Sequence, residues 1–308
     1  MARKVALIFP GQGAQKVGMG KEFFDQIPEA RHVFDKANEV IGEDLARVIF
    51  DGPEEKLMST AYCQPAIFTM SMAALAAFRA SAKFSDVSVS CTAGLSLGEY
   101  SALCAAGSIT FEDCLRLIQR RGAFMEEAAR VNPGKMAAVI GFDPQKLADI
   151  CAATGAEIAN FNAPDQIVIT GTPPCVEKAC AMIAAAGGRK VIPLDVSGAF
   201  HSSLMSSAAQ KFAQAVAHVP LQVTGIRVVT NVNALPQASI EEIRLNLPRQ
   251  ICSSVQWVDS IKFIASQGIT DLIEIGPGRV LKGLLRKIDP ALNVQNIQIP
   301  DDVVALTF

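Results

Sequence analysis

The sequence predicts an α/β protein with a mostly parallel sheet, into which a small βαββαβ unit is inserted, and three observations predict it. Apolar strand-like runs alternate with longer amphipathic stretches almost from end to end, the pattern of a sheet crossed by helices. Two of these runs, residues 86–93 and 271–275, lead directly into a glycine turn and then a helix start. Between residues 131 and 196 the order changes to strand, helix, strand, strand, helix, strand.

The elements follow in order. Residues 5–9 form an apolar run after Arg3 and Lys4 that stops at Pro10 and Gly11; it is too short for a signal-peptide core and reads as a buried strand. Residues 29–40 read as a charged amphipathic helix carrying His32. Residues 87–93 read as a strand, followed by a tight turn and a helix at 99–106. The helix at 111–128 places Cys114, Ile118 and Met125 on one apolar stripe. In the inserted segment strands are expected at 136–142, 156–161, 166–171 and 190–194, with helices at 144–153 and 174–186. That order is the ferredoxin-like split unit. The larger pattern then resumes, so residues 1–130 and 197–308 are assigned to a large α/β-hydrolase-like domain and 131–196 to the inserted ferredoxin-like subdomain. A cleft between them is the expected ligand site.

Composition narrows the function classes. Half of the 308 residues are hydrophobic, 19% are charged and the net charge is -2, which fits neither a disordered chain nor a polyanion binder. Nucleic acid is therefore not an expected partner. No run approaches the roughly 18 consecutive apolar residues of a membrane span, so a soluble cytoplasmic protein is expected. The eight cysteines are scattered without a C-x-x-C pair and read as small buried hydrophobes, with no metal expected. Nothing in the chain demands more than a monomer.

Gly94-Leu95-Ser96-Leu97-Gly98 is a G-x-S-x-G sequence at a strand-to-helix junction. A serine on so sharp a turn has its hydroxyl pushed out of the sheet, and the helix start favours developing negative charge. The alternative is an ordinary glycine-serine turn. A serine hydroxyl is a weak nucleophile and requires a base. Of three histidines, His32 lies on a charged helix and His218 closes a helix before Pro220, whereas His201 sits in a small-residue loop, residues 197–203. An oxyanion hole needs two donors: Leu97 N–H follows the serine, and the Pro10-Gly11-Gln12-Gly13 loop offers a second, expected from Gln12. The glycines do not fit a nucleotide loop, since Lys16 and Met19 stand where a dinucleotide fingerprint needs glycine and a phosphate loop needs lysine. Arg121 lies on the buried stripe of its helix. An inward guanidinium must meet an anion, either a substrate carboxylate or an internal one such as Glu99 or Glu126.

Taken with Phe9-Pro10-Gly11-Gln12-Gly13, Gln64-Pro65-Ala66, Gly98-Glu99-Tyr100, Arg121-Gly122, Gly198-Ala199-Phe200-His201-Ser202, Gln256-Trp257 and Glu274-Ile275-Gly276-Pro277-Gly278, the sequence resembles the malonyl-CoA:acyl-carrier-protein transacylases of dissociated fatty acid synthesis. It is also similar to the acyltransferase domains of polyketide synthases. The resemblance implies that Ser96 is the acylated nucleophile, His201 its general base, and Gln12 and Leu97 the oxyanion donors. It implies that Arg121 binds the free carboxylate of malonyl and that the backbone carbonyl of Gln250 orients the imidazole, giving a dyad without a third acid. Asn160 and Asn162 would line the pocket, and Phe200 would crowd an α-methyl branch, favouring malonyl over methylmalonyl. The implied reaction is ping-pong transfer from malonyl-CoA to the phosphopantetheine thiol of an acyl carrier protein, without metal or cofactor. Other readings are a trans-acting acyltransferase of a polyketide or polyunsaturated fatty acid synthase, a hydrolase of stalled acyl chains, and a non-catalytic carrier-binding module. Because such carriers are acidic, docking would need a local basic patch, with Arg189 and Lys190, or Lys282, Arg286 and Lys287, as candidates.

Overall fold

The computed structural model describes residues 2–196 and 198–308; Met1 and Ser197 lie outside the described residues, and with Ser197 the position at which the large domain is expected to resume. The strands are β1 (Arg3–Phe9), β2 (Val87–Gly94), β3 (Lys135–Ile140), β4 (Glu157–Ala163), β5 (Gln166–Gly171), β6 (Lys190–Pro193), β7 (Arg227–Val229), β8 (Asp271–Ile275) and β9 (Asn293–Ile297). Five of them form a sheet in the order β7-β2-β1-β8-β9, with every neighbouring pair parallel.

Strands in a parallel sheet are covered on both faces and so read as continuous apolar runs. In central β1 the pleat sends Val5, Leu7 and Phe9 into one core and Ala6 and Ile8 into another. Helices Thr60–Ala80 and Phe111–Val131 supply Ile67, Phe78, Leu115 and Ile118 to the first core. Helices Trp257–Ser266 and Val280–Ile288 supply Trp257, Ile261, Leu281 and Leu285 to the second. Each such side chain contributes roughly 1.5–3 kcal/mol by leaving water. Strand β1 begins two residues earlier than the apolar run because Arg3 and Lys4 pair with Val87 and Ser88 of β2, and Arg3 Nε also donates to Asp271 Oδ2 at 2.7 Å on β8.

Helix Thr60–Ala80 is the one described helix long and apolar enough to cross a membrane, with a mean hydropathy of 1.3, but 83% of that stretch is buried inside the protein. It is the core helix against which the sheet packs.

The remaining four strands form an antiparallel sheet in the order β4-β5-β3-β6, with helices Pro144–Thr154 and Pro173–Ala185 completing the βαββαβ unit. Val139, Leu147, Ile169 and Ile183 form its own core, whereas Met136, Ala138 and Val168 on the opposite face join the core of the main sheet. Strand β3 stops at Ile140 rather than residue 142, because Gly141 turns the chain at φ 69° and Asp143 caps the next helix by accepting from Lys146 N. Strand β4 is tied to the segment before helix Trp257–Ser266: Val255 N donates to Ala159 O at 2.8 Å and Phe161 N to Val255 O at 2.9 Å. That stitch aims Asn160 and Asn162 into the cleft between the two sheets, where both line the cavity.

Candidate active site

The site is built on the turn between β2 and helix Gly98–Ala105. Ser96 sits there at φ 53°, a left-handed conformation that costs a residue with a side chain about 1–2 kcal/mol. Three hydrogen bonds hold it: Ser96 N donates to Asn231 Oδ1 at 2.6 Å, Gln250 Nε2 donates to Ser96 O at 3.0 Å, and Leu95 N donates to Phe9 O at 3.1 Å. The flanking glycines are required by close approach. A Cβ on Gly94 would lie 1.9 Å from the Gly98 carbonyl carbon, and one on Gly98 would lie 2.1 Å from Phe9 O. The first loop presses on the same turn, since a Cβ on Gly11 would lie 2.4 Å from Leu95 O.

His201 is brought to this turn from the loop before the short helix Ser203–Met205, itself at φ 59°. Its Nε2 lies 2.8 Å from Ser96 Oγ and its Nδ1 2.8 Å from Gln250 O. A carbonyl only accepts, so Nδ1 carries the proton and Nε2 presents its lone pair to the serine hydroxyl. Burial, and after it the positive Arg121, push the imidazole down to about 4, although the bond to Gln250 O works the other way. The ring is therefore neutral near pH 7 and able to take the serine proton. His32 and His218 are exposed, as their helix positions suggest.

Arg121 is 1% exposed. Gly122 lets its helix approach the start of Thr60–Ala80, where a Cβ would lie 2.9 Å from Thr60 O, and this places Arg121 beside Gln64. Arg121 Nη1 donates to Gln64 Oε1 at 2.8 Å, and Nη2 donates to Gln250 Oε1 at 3.1 Å and Ser96 Oγ at 3.2 Å. The guanidinium also lies 5.3 Å from the Tyr100 ring centroid. Neither internal ion pair considered from the sequence is formed: among the described residues Arg121 has no salt bridge to Glu99, Glu126 or any other carboxylate. Its Nε has no partner. A buried cation held only by neutral oxygens beside the nucleophile is a receptor for an anion.

Glu99 instead lies under the site, fully buried. Its Oε2 accepts from Gln250 Nε2 at 2.6 Å and Asn231 N at 3.0 Å, and its Oε1 accepts from Gln237 Nε2 at 3.1 Å. Burial raises its carboxyl to about 7, against the lowering pull of those bonds and of Arg121.

A cavity of about 570 Å³ opens above these groups. Gln12, Ser96, Leu97, Arg121, Asn160, Asn162, Phe200 and His201 all line it, whereas Gln250 stands behind it with its side chain fully buried. Gln12 N and Leu97 N donate to no group among the described residues, which leaves both amides open for an oxyanion. Asn162 Oδ1 is buried without a partner among the described residues. A second cavity, of about 790 Å³, lies by the chain ends, lined by Arg3, Lys83, Asp86 and Phe308 among others, with no histidine or cysteine among its described residues. Burial raises the thiols of Cys63, Cys91 and Cys104 to about 12, so they stay protonated hydrophobes. Arg189, Lys190, Arg286 and Lys287 are exposed, with Lys287 Nζ 3.1 Å from Asp165 Oδ2 in the β4–β5 turn.

Sequence reasoning missed Asn231, Gln64 as a contact of Arg121, and the side chain of Gln250. Gln64 carried a signal: a fully buried amide in an apolar helix must have a partner. Asn231 carried none, because it follows a three-residue strand with no motif around it.

The model of the acyl transferase domain family matches residues 6–297. The malonyl CoA-acyl carrier protein transacylase of Bacillus subtilis (strain 168) is 40% identical over 305 residues, covering 97% of this chain and 95% of that protein. The solved transacylase of the same description from Clostridium perfringens (ATCC 13124) superposes with a TM-score of 0.93 at 37% identity, covering 98% of this chain and 95% of that one. A malonyl-transacylase solved in complex with its type II PKS acyl-carrier protein also superposes at 0.93, with 36% identity and 98% of each chain covered.

Proposed function

This chain belongs to the acyl transferase domain family, and from that premise we propose that it is an acyltransferase moving malonyl from malonyl-CoA to the phosphopantetheine thiol of an acyl carrier protein, through an ester on Ser96. The observation that carries the reading is the convergence of three groups on one cavity: Ser96 Oγ lies 2.8 Å from His201 Nε2 and 3.2 Å from Arg121 Nη2.

The steps follow from that geometry. Arg121, freed from Ser96 Oγ, pairs with the malonyl carboxylate and sets the thioester carbonyl over the serine. His201 Nε2 takes the hydroxyl proton as Oγ attacks the carbonyl carbon. Gln12 N and Leu97 N receive the negative oxygen of the tetrahedral intermediate. Collapse breaks the carbon–sulfur bond, and the departing CoA sulfur takes the proton from the imidazolium. The carrier thiol then enters, gives its proton to His201 and attacks the ester, and Ser96 leaves with that proton restored. Gln250 O keeps Nδ1 protonated throughout, a main-chain acceptor serving where many hydrolytic sites use a carboxylate. Asn160, Asn162 and Phe200 form the pocket wall, Phe200 against an α-methyl branch.

Residues 131–196 are proposed as the inserted subdomain closing one side of the cleft. We also propose cytoplasmic work as a monomer, without nucleic acid or membrane. Supply of extender units for fatty acid synthesis is the main reading; the likeness to a transacylase solved with a polyketide carrier keeps that carrier class as the alternative acceptor. The test is acceptor turnover with purified holo carrier proteins of both classes. Malonyl-carrier as the main product supports transfer, with the faster carrier identifying the pathway class, whereas free malonate in excess would replace transfer by hydrolysis.

A further inference from the structure

Glu99 touches neither the cavity nor the reacting atoms, yet Gln250 and Asn231, which between them contact the nucleophile, the base and the guanidinium, both lead back to it. Its Oε2 takes hydrogen bonds from Gln250 Nε2 at 2.6 Å and Asn231 N at 3.0 Å. Gln250 in turn accepts from Arg121 Nη2 through its side-chain oxygen, accepts from His201 Nδ1 through its backbone oxygen, and donates to Ser96 O. Asn231 accepts from Ser96 N, the strained residue's amide, at 2.6 Å. An amide side chain has two ends that differ only in hydrogen bonding, and Glu99 Oε2, held as an acceptor by the backbone N–H of Asn231, takes the NH₂ end of Gln250 whether or not the other oxygen carries a proton, so Glu99 decides which end of Gln250 faces Arg121. Were that amide reversed, its NH₂ would confront the guanidinium and its oxygen the Ser96 carbonyl.

We propose that Glu99 is a positioning residue for acyl transfer, setting through Gln250 and Asn231 the backbone of Ser96 and the orientations of His201 and Arg121 together. This rests on the reading of Ser96 as the acylated group and adds to it a control point outside the cavity.

The test uses the full chain and two readouts: the single-turnover rate of Ser96 malonylation by malonyl-CoA, followed by intact mass, and labelling of Ser96 by a fluorophosphonate, which does not use Arg121. Glu99→Asp keeps the carboxyl group but withdraws its oxygens by about 1.5 Å, one carbon–carbon bond. A displacement of that order at a supporting residue lowers rates roughly 10²-fold, and both readouts should fall by that factor with circular dichroism and Tm showing a folded protein. Glu99→Gln should retain both within tenfold, because its amide oxygen can keep Asn231 N and Gln250 Nε2, while its NH₂ is met by Gln237 Oε1, which has no partner among the described residues, once the Gln237 amide turns over from its present Nε2-to-Glu99 orientation. In the Gln250→Met background the loss caused by Glu99→Asp should shrink to what the Asn231 arm alone carries, since a residue acting through another loses that part of its effect once the other is gone.

A folded Glu99→Asp within threefold of wild type on both readouts, or losses that multiply in the double variant, would overturn the proposal. Should Glu99→Asp not fold, Glu99→Gln decides: retention within tenfold supports positioning by hydrogen bonds, and a greater loss shows that the charge itself is used and overturns it. If wild type forms no Ser96 adduct while Glu99 variants remain folded, the parent reading fails instead.

Discussion

Replacing Arg121 by alanine separates recognition of the acyl group from the chemistry performed on it. In the wild type the guanidinium is 1% exposed and has no carboxylate partner among the described residues, and in the proposed reaction the malonyl carboxylate is its counter-ion. Removing it leaves that carboxylate in a closed pocket without a cation, a loss of about 3–5 kcal/mol. At about 1.36 kcal/mol per decade, kcat/KM for malonyl-CoA should fall roughly 10²- to 10⁴-fold. Acetyl-CoA presents no carboxylate and loses the 3.2 Å bond to Ser96 Oγ, about 1 kcal/mol, together with the support of Gln64 and Gln250 that both thioesters lose alike, so its fall should stay well short of that for malonyl-CoA. Because Arg121 is the second cause of the lowered His201 basicity, its removal should also move the acid limb of acetyl transfer to higher pH. The assay is kcat/KM for both thioesters with one carrier protein, with Arg121→Met as a control that keeps the volume of the stem. An equal loss for the two thioesters would refute the carboxylate role.

Other expectations follow from the same geometry. His201 is held neutral to about 4, so kcat/KM should stay level as pH falls through the ordinary histidine value near 6.5, and a limb at or above 6.5 would contradict the buried environment. The sign for stability is the reverse of a gain: between about 6.5 and about 4 the unfolded chain takes up a proton that the folded ring refuses, so this residue removes stability over that window, read by urea unfolding against His201→Gln. Gly94→Ala should cost about 3 kcal/mol or more in urea unfolding, since its Cβ would lie 1.9 Å from a backbone carbon, whereas Gly283→Ala, which meets nothing within 4 Å in an exposed helical position, should be neutral or stabilising. Phe200→Ala should raise the methylmalonyl-to-malonyl ratio of kcat/KM by roughly tenfold or more; an unchanged ratio would remove Phe200 from selectivity.

Much of the fold was legible because parallel strands advertise themselves as apolar runs and the glycine turns after β2 and β8 mark where helices begin. The ferredoxin-like order was legible from the spacing of short elements, although the ends of β3 and β4 moved by one or two residues where Gly141 and the Val255 stitch set the boundary. In the site, Ser96 and His201 could be found because each sits where a local pattern breaks, and both adopt positive φ. Arg121 could be found from a charge on an apolar stripe, but its neighbours could not: the sequence alone left Glu99 or Glu126 open as its partner, and the fold gives it Gln64 and Gln250. Partners 57 and 129 residues away are set by how helices pack, which no local pattern records. Asn231 was illegible for the same reason, since its 135-residue reach to Ser96 exists only once β7 lies beside β2.

The most direct measurement is the mass of the protein and of its Ser96 peptide after brief mixing with malonyl-CoA, followed by addition of holo carrier protein. One malonyl group should appear on Ser96, vanish on the carrier's arrival with malonyl-carrier formed in equal amount, and be absent from Ser96→Ala. An adduct that persists in Ser96→Ala, or transfer that proceeds at the wild-type rate without any adduct, would contradict a covalent route through this serine.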